Sequence, residues 1–430
     1  MRIAHITAGA GHMYCGSCLR DNTIAAAQLD AGHDVLLIPT YTPTRPEGRN
    51  VSLDRIYLGG INVFLQEHLP ILRKMPRFLS RMLDAAPLLR LATSRGVSVN
   101  PTQLGRLTVS MLRGVDGAQQ RTVLELIEFL ADEAVPDIVS IPNSLLIALA
   151  PAIKRRLNVP VVCTLQGEDG FLDGLGNPYR DEALRLIREH AASGDAFLAV
   201  SRFGADRMSE FLGIDRSRIH IVPIGIDFEG HSHAPLDGKP FTIGYLARLT
   251  PEKGLHVLCE VYRRLRSRPG CPPSRLLAAG YLAPELKGYL ADIEKKMAGW
   301  GLADQFEYRG ALDRAEKIAF LQELSVLSVP SPYPTQKGQF LLEAMASGVP
   351  VVQPRLGAFT EVVETTGGGI LVDDGDLDGL AAGIASLWEN PERRKQLGAT
   401  GYDGVRAHYG TPQMLAEVME VYRRLAAPLP

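Results

Sequence analysis

Cysteine is scarce. Five in 430 residues is an odd count and too few for a disulfide framework in so long a chain, so free thiols and a reducing compartment are expected. An excess of either charge is also missing: the net charge of -2 gives no electrostatic ground for a nucleic-acid partner. No apolar run approaches the roughly 20 residues of a membrane-spanning helix. Met1 to Thr7 runs straight into a strand pattern without the basic, apolar and small-residue succession of a leader, so the cytoplasm is the expected location. No Gly-Lys-Ser/Thr loop occurs, which argues against an NTPase. The run Gly9-Ala-Gly11-His12-Met-Tyr14 lacks the third glycine of a dinucleotide fingerprint, and no acid ends the second strand at Ile38 to Tyr41. A nicotinamide site is therefore set aside, and Gly9, Gly11 and His12 are read as a flexible acceptor or phosphate loop. Metal-ligand spacing is absent too. Cys15 and Cys18 form one pair with no second, and are read as free thiols at a helix start, with redox work as the alternative. Asp376-Leu-Asp378 is read as a solvated turn and helix start, and His231 and His233 as exposed linker residues.

What is present is the composition of a soluble globular protein, 46% apolar and 22% charged, in a chain longer than one core usually supports. Short β-branched runs alternate with amphipathic helical windows, the pattern of parallel sheets covered on both faces. One series comprises Arg2 to Ala8, Val35 to Thr40, Asp137 to Ile141, Val159 to Leu165, Asp195 to Val200 and Ile219 to Pro223. A second comprises Phe241 to Leu246, Arg275 to Ala279, Phe306 to Arg309, Val326 to Pro330, Val349 to Pro354 and Gly369 to Val372. The turn-rich stretch Gly230 to Pro240 separates them. The expected fold is α/β: two doubly wound Rossmann-like domains, 1–228 and 240–410, with a ligand cleft between them at the carboxyl ends of the strands.

The chemistry gathers at those strand ends. After Val326 to Pro330, the chain turns through Thr335 to Gly338 into a helix carrying Glu343. Free N–H groups at Gly338, Gln339 and Phe340, with the helix dipole, favour phosphate oxygens. Glu343, one turn further in, can accept hydrogen bonds from two neighbouring sugar hydroxyls. After Phe241 to Leu246, Arg248 and Lys253 stand five residues apart across a turn that opens another helix. A planar fork and a compact point charge can together clamp a diphosphate and neutralise charge on a departing nucleotide. Gln166-Gly-Glu168-Asp169 follows Val159 to Leu165 at another strand end.

These segments, together with Val200-Ser-Arg-Phe203, Val222-Pro-Ile-Gly-Ile-Asp227, Gly310 and Pro350-Val-Val, give a chain that resembles the retaining GT-B glycosyltransferases of glycosyltransferase family 4 over nearly its whole length. The resemblance implies sugar transfer from a nucleotide-sugar donor without a metal or other cofactor. It implies that Arg248 and Lys253 hold the donor diphosphate, that Glu343 holds the nucleotide ribose, and that the base lies by Arg309-Gly310. The backbone of Gly338 to Phe340 would meet donor phosphate and sugar. The final helix, within 411–430, would cross back onto the first, acceptor-side domain.

Two positions depart from the family pattern. Thr335 stands where the family usually has a glutamate facing the donor sugar, and Gln166 where it usually has a histidine. Glu168 or Asp169 is the candidate replacement for the lost carboxylate, beside the sugar or orienting the acceptor hydroxyl. The activity expected is transfer of a hexose from a UDP- or GDP-sugar to a lipid, glycan or small metabolite. The alternative is a non-catalytic nucleotide-sugar-binding protein of the same descent, motivated by Thr335 and Gln166. In the insertion, Arg73, Arg77 and Arg81 recur every fourth residue beside an apolar face, and the segment 69–91 is read as a helical lid. Peripheral contact with the inner face of a membrane through the same segment is its alternative.

Overall fold

The computed structural model describes residues 1–9, 16–44, 48–57, 101–236 and 240–426. Gly11, His12, Cys15 and the segment 69–91 lie outside them. By its contacts the chain divides into two compact units, Met1–Pro223 with Met414–Pro430, and Ile224–Gln413.

The first unit holds six parallel strands: β1 (Arg2–Thr7), β2 (Asp34–Pro39), β3 (Ile138–Ile141), β4 (Val161–Leu165), β5 (Ala196–Ala199) and β6 (Ile219–Ile221). Their order is β2-β1-β3-β4-β5-β6. Because successive side chains point to opposite faces, each strand feeds two apolar layers. Ile3, Leu37, Ile138, Val162 and Leu198 enter one layer, and Ala4, Ile38, Val139, Cys163 and Phe197 the other. The first layer is closed by the helix Thr411–Ala426, whose Met414, Val418, Met419 and Tyr422 are buried in it.

The second unit repeats the plan with β7 (Phe241–Leu246), β8 (Ser274–Ala279), β9 (Phe306–Tyr308), β10 (Val326–Leu327), β11 (Val351–Pro354) and β12 (Gly369–Val372), in the order β12-β11-β10-β7-β8-β9. All the strands expected from the apolar runs form. β10 is shortened most: beyond Leu327 the backbone of Ser328 still bonds to Gly244, and the chain then leaves the sheet for the loop at Pro330.

The strand order of each sheet reverses once, between β1 and β3 in the first unit and between β7 and β10 in the second. At such a point neighbouring strands send their connections in opposite directions, which opens a crevice outside their carboxyl ends. The loops carrying Arg248 and Lys253 and those carrying Thr335 to Gly338 follow β7 and β10, so both rise from the reversal point of the second sheet.

The division falls at Pro223/Ile224, upstream of the turn-rich stretch expected to separate the domains. Residues after Ile224 are already tied to the second unit: Ile226 N–H donates to Tyr409 O at 2.7 Å and Ala234 N–H to Ser347 O at 2.8 Å. His231, expected to be exposed, is buried with Nδ1 2.8 Å from Ser347 Oγ. His233 is exposed but stacks on Tyr402, with ring centroids 3.9 Å apart. Among the described residues no helix is long and apolar enough to cross a membrane.

Candidate functional site

A glycine and a serine bring the β7 and β10 loops together, and a second glycine, after β11, holds the β10 loop from its other side. Gly254 follows Lys253 with φ +76°, and a Cβ placed there would lie 2.1 Å from Pro330 O. Only glycine allows that approach. Beside it, Ser331 Oγ donates to Glu252 O at 2.6 Å. The backbone around Lys253 is thus fastened to the start of the loop that leads to Gly338. On the other side, Gly357 (φ +57°) lies against Thr335, where a Cβ would come 2.5 Å from Thr335 O, and Ala358 N–H donates to that oxygen at 2.8 Å.

Lys253 is half-buried, and among the described residues neither it nor Arg248 has an ion-pair partner. Burial, then the charges of Arg248 and Lys337, push the Lys253 ammonium down to about 8. Three cations therefore act on one crevice, and the arrangement favours an anion. The helix Gln339–Ala346 opens toward it from Gly338, built from strong helix formers and ended at Ser347-Gly348. Among the described residues the amides of Gly338, Gln339 and Phe340 have no carbonyl partner, as expected for a first helical turn. Phe340 packs edge-on against Phe359, at 5.7 Å between ring centroids.

Glu343 is buried on this helix. Its Oε1 accepts from Lys317 Nζ at 2.8 Å and from Gln339 Nε2 at 3.1 Å. Lys317 was not among the residues singled out in the sequence, although a signal existed: it shares the buried face of the helix Arg314–Glu323 with Phe320 and Leu321. A lysine in an apolar stripe calls for a buried counter-charge. Gly310 lies at the end of β9 with φ +76° and open space around it, its carbonyl accepting from Gly280 N–H at 2.8 Å. Gly280 packs against the Ala247 carbonyl, next to Arg248. The second unit thus brings Arg248, Lys253, Thr335, Gly338, Gln339, Phe340 and Glu343 to one end of one sheet, with Gly310 on the same edge.

The remaining candidates belong to the first unit. Gly9 leaves β1 with φ +76° and lies against the Thr42 carbonyl. Gln166 is buried after β4, and its Nε2 donates to Pro142 O at 2.9 Å. Glu168, expected to serve the reaction as a carboxylate, accepts the Ser144 amide on Oε1 and the Gln166 amide on Oε2, each at 2.9 Å. Through these two backbone amides Glu168 joins the loops after β3 and β4. Asp169 Oδ2 accepts from Arg207 Nε at 3.0 Å. Glu168→Gln is expected to destabilise the fold by about 1–3 kcal/mol, because one amide loses its acceptor. Asp169→Asn, at a partly exposed pair, should cost less than about 1 kcal/mol. Chemical denaturation of the two variants checks the contrast.

Asp376 and Asp378 have structural partners: Asp376 Oδ1 caps the next helix through Gly379 N–H at 2.8 Å, and Asp378 pairs with Arg264 at 2.7 Å.

The model of the glycosyl transferases group 1 matches residues 229–404, and that of Glycosyltransferase Family 4 matches residues 109–229. Similar curated proteins include the D-inositol 3-phosphate glycosyltransferase of Segniliparus rotundus, 28% identical over 58% of this chain and 58% of that one. The phosphatidyl-myo-inositol mannosyltransferase of Mycobacterium leprae is 31% identical over 53% of this chain and 59% of that one. The chain spans somewhat more than half the length of these relatives. Among solved structures, sucrose-phosphate synthase from Thermosynechococcus elongatus aligns over 99% of both chains with a TM-score of 0.70 at 17% identity. Anabaena HepE in complex with UDP and glucose aligns over 98% of this chain and 99% of its own, with a TM-score of 0.68 at 16% identity. The chain has the GT-B fold and belongs to the family 4-type glycosyltransferases.

Proposed function

We propose that the protein is a metal-independent, retaining hexosyltransferase that uses a UDP- or GDP-sugar and a lipid, glycan or small-molecule acceptor. The observation that carries this reading is the pair Arg248 and Lys253, without ion-pair partners among the described residues, fastened through Gly254 and Ser331 to the loop of a helix that bears a buried carboxylate. The cations take the diphosphate, the amides of Gly338 to Phe340 take phosphate and sugar, Glu343 takes the ribose diol, and the base lies by Gly310. HepE, solved with UDP and glucose, supports a UDP donor by analogy of fold.

In retaining transfer of this kind the acceptor hydroxyl attacks from the face the diphosphate leaves, and a diphosphate oxygen takes the hydroxyl proton. No protein base is then required. The enzyme's contribution is to lower the charge developing on the leaving group, which is what Arg248 and Lys253 supply in a crevice where Lys253 is already half out of water. Of the two carboxylates after β4, we assign Asp169 to the acceptor side, since Glu168 is bound to amides.

Thr335 favours a second reading, a nucleotide-sugar-binding protein without turnover, because a hydroxyl cannot offset positive charge on the sugar. Release of nucleoside diphosphate from UDP- and GDP-hexoses separates the two. The names of the relatives make D-inositol 3-phosphate and phosphatidylinositol the first acceptors to test. Release that rises with acceptor supports the transferase. Binding with no release from any donor, alone or with acceptors, would overturn it.

A further inference from the structure

We infer that Lys317 is a positioning residue for ribose recognition, holding the Glu343 carboxylate aimed; the inference rests on the reading of Glu343 as the ribose ligand. The Glu343 side chain is 9% exposed and that of Lys317 7%, so each charge is almost wholly removed from water. Two groups so buried need each other in good geometry, because removing one partner leaves the other without compensation. Lys317 meets the carboxylate from a different helix, with Nζ 2.8 Å from Oε1. That helix is fixed at its start by a reciprocal cap: the Asp313 carboxylate accepts the Glu316 amide and the Glu316 carboxylate accepts the Asp313 amide, each at 2.9 Å. Lys317 is the next residue, so its stem leaves a rigid turn.

The partners of the carboxylate are one-sided. Lys317 Nζ and Gln339 Nε2 both take Oε1. Among the described residues Oε2 is left to accept from an incoming hydroxyl, and the ammonium and amide set its direction. A hydroxyl bonded to an ionised carboxylate gains about 1.5–3 kcal/mol, which is about a ten- to hundredfold preference over a ligand lacking it. A pair built only to hold the fold would give no such preference.

The test compares dissociation constants of UDP and GDP with those of their 2′-deoxy analogues, and of inorganic pyrophosphate, for the full chain and for Lys317→Met. The wild-type chain is expected to prefer the ribonucleotide about tenfold or more. In Lys317→Met that ratio should fall toward one, while pyrophosphate affinity stays within about twofold, since Arg248 and Lys253 are untouched. A folded Lys317→Met that keeps the wild-type ratio overturns the inference and leaves the reading of Glu343 intact. Equal losses for nucleotide and pyrophosphate overturn it too, as the mark of general collapse. A wild-type chain without ribose preference sinks both. Should Lys317→Met fail to fold, Lys317→Arg decides: a planar guanidinium meets Oε1 from another angle, so a lowered ratio at unchanged melting temperature supports the assignment and an unchanged ratio overturns it.

Discussion

Alanine at both Arg248 and Lys253 is expected to lower donor turnover by about 10²- to 10⁴-fold, the equivalent of two charge-assisted contacts of about 1.5–3 kcal/mol each. Fold stability should hold or rise slightly, because two repelling cations are removed from one crevice. The pH dependence carries a further signature. Lys253 has its ammonium lowered from 10.5 to about 8, first by burial and then by Arg248 and Lys337. A bound diphosphate restores the missing counter-charge, so the donor binds the protonated lysine more tightly. Affinity should therefore be level below about pH 8 and fall above it, by up to about tenfold per pH unit, with binding taking up a proton in that range. Lys253→Arg should remove the fall, since a guanidinium stays charged, and Arg248→Ala should move its onset to higher pH. Without donor the same shift makes the charged lysine a cost to the fold: the cost is full below pH 8 and is relieved as pH rises toward 10.5. Titrations of UDP at pH 7, 8 and 9 read the effect, and an affinity that is flat across them would contradict it.

Gly254→Ala is the second large expected effect. At φ +76° an alanine is strained by about 1 kcal/mol, and its Cβ would also sit 2.1 Å from Pro330 O, a backbone atom. Either the Lys253 turn or the β10 loop must move, and both frame the crevice. The loss of stability should exceed about 2 kcal/mol, a fall of about 5–10 °C in melting temperature for a unit of this size, with UDP affinity reduced at least about tenfold. Gly310→Ala is the control. Its φ is also +76° but nothing lies within 4 Å of the added Cβ, so only the strain of about 1 kcal/mol applies. Equal melting temperatures for the two variants would show that the contact between the loops is not what fixes Lys253.

The sheets were legible because their strands are buried on both faces, and burial on both faces leaves uninterrupted apolar runs such as Val161 to Leu165. The candidate site was legible in part for the same reason: once β7 and β10 are placed, Arg248, Lys253 and Gly338 follow at their carboxyl ends. Long-range pairings were not legible. Glu343 meets a lysine 26 residues earlier on another helix, and Glu168 meets the Ser144 amide 24 residues away. No local pattern encodes either distance. The burial of His231 depends on Ser347, 116 residues on, so a turn-rich segment read as a free linker is in fact docked. The stretch Pro332 to Gly338 shows the converse: its composition says loop, and the contact of Gly357 with Thr335 gives that loop its shape.

We place a nucleoside diphosphate in the crevice at the β7 and β10 strand ends, held by Arg248, Lys253 and Glu343. Calorimetric titration of the full chain with UDP, GDP and their hexose conjugates tests it most directly. Measurable heat for at least one of them, abolished in the Arg248→Ala, Lys253→Ala double variant, is the expected result; no heat from any, or heat unchanged in that variant, would contradict the claim.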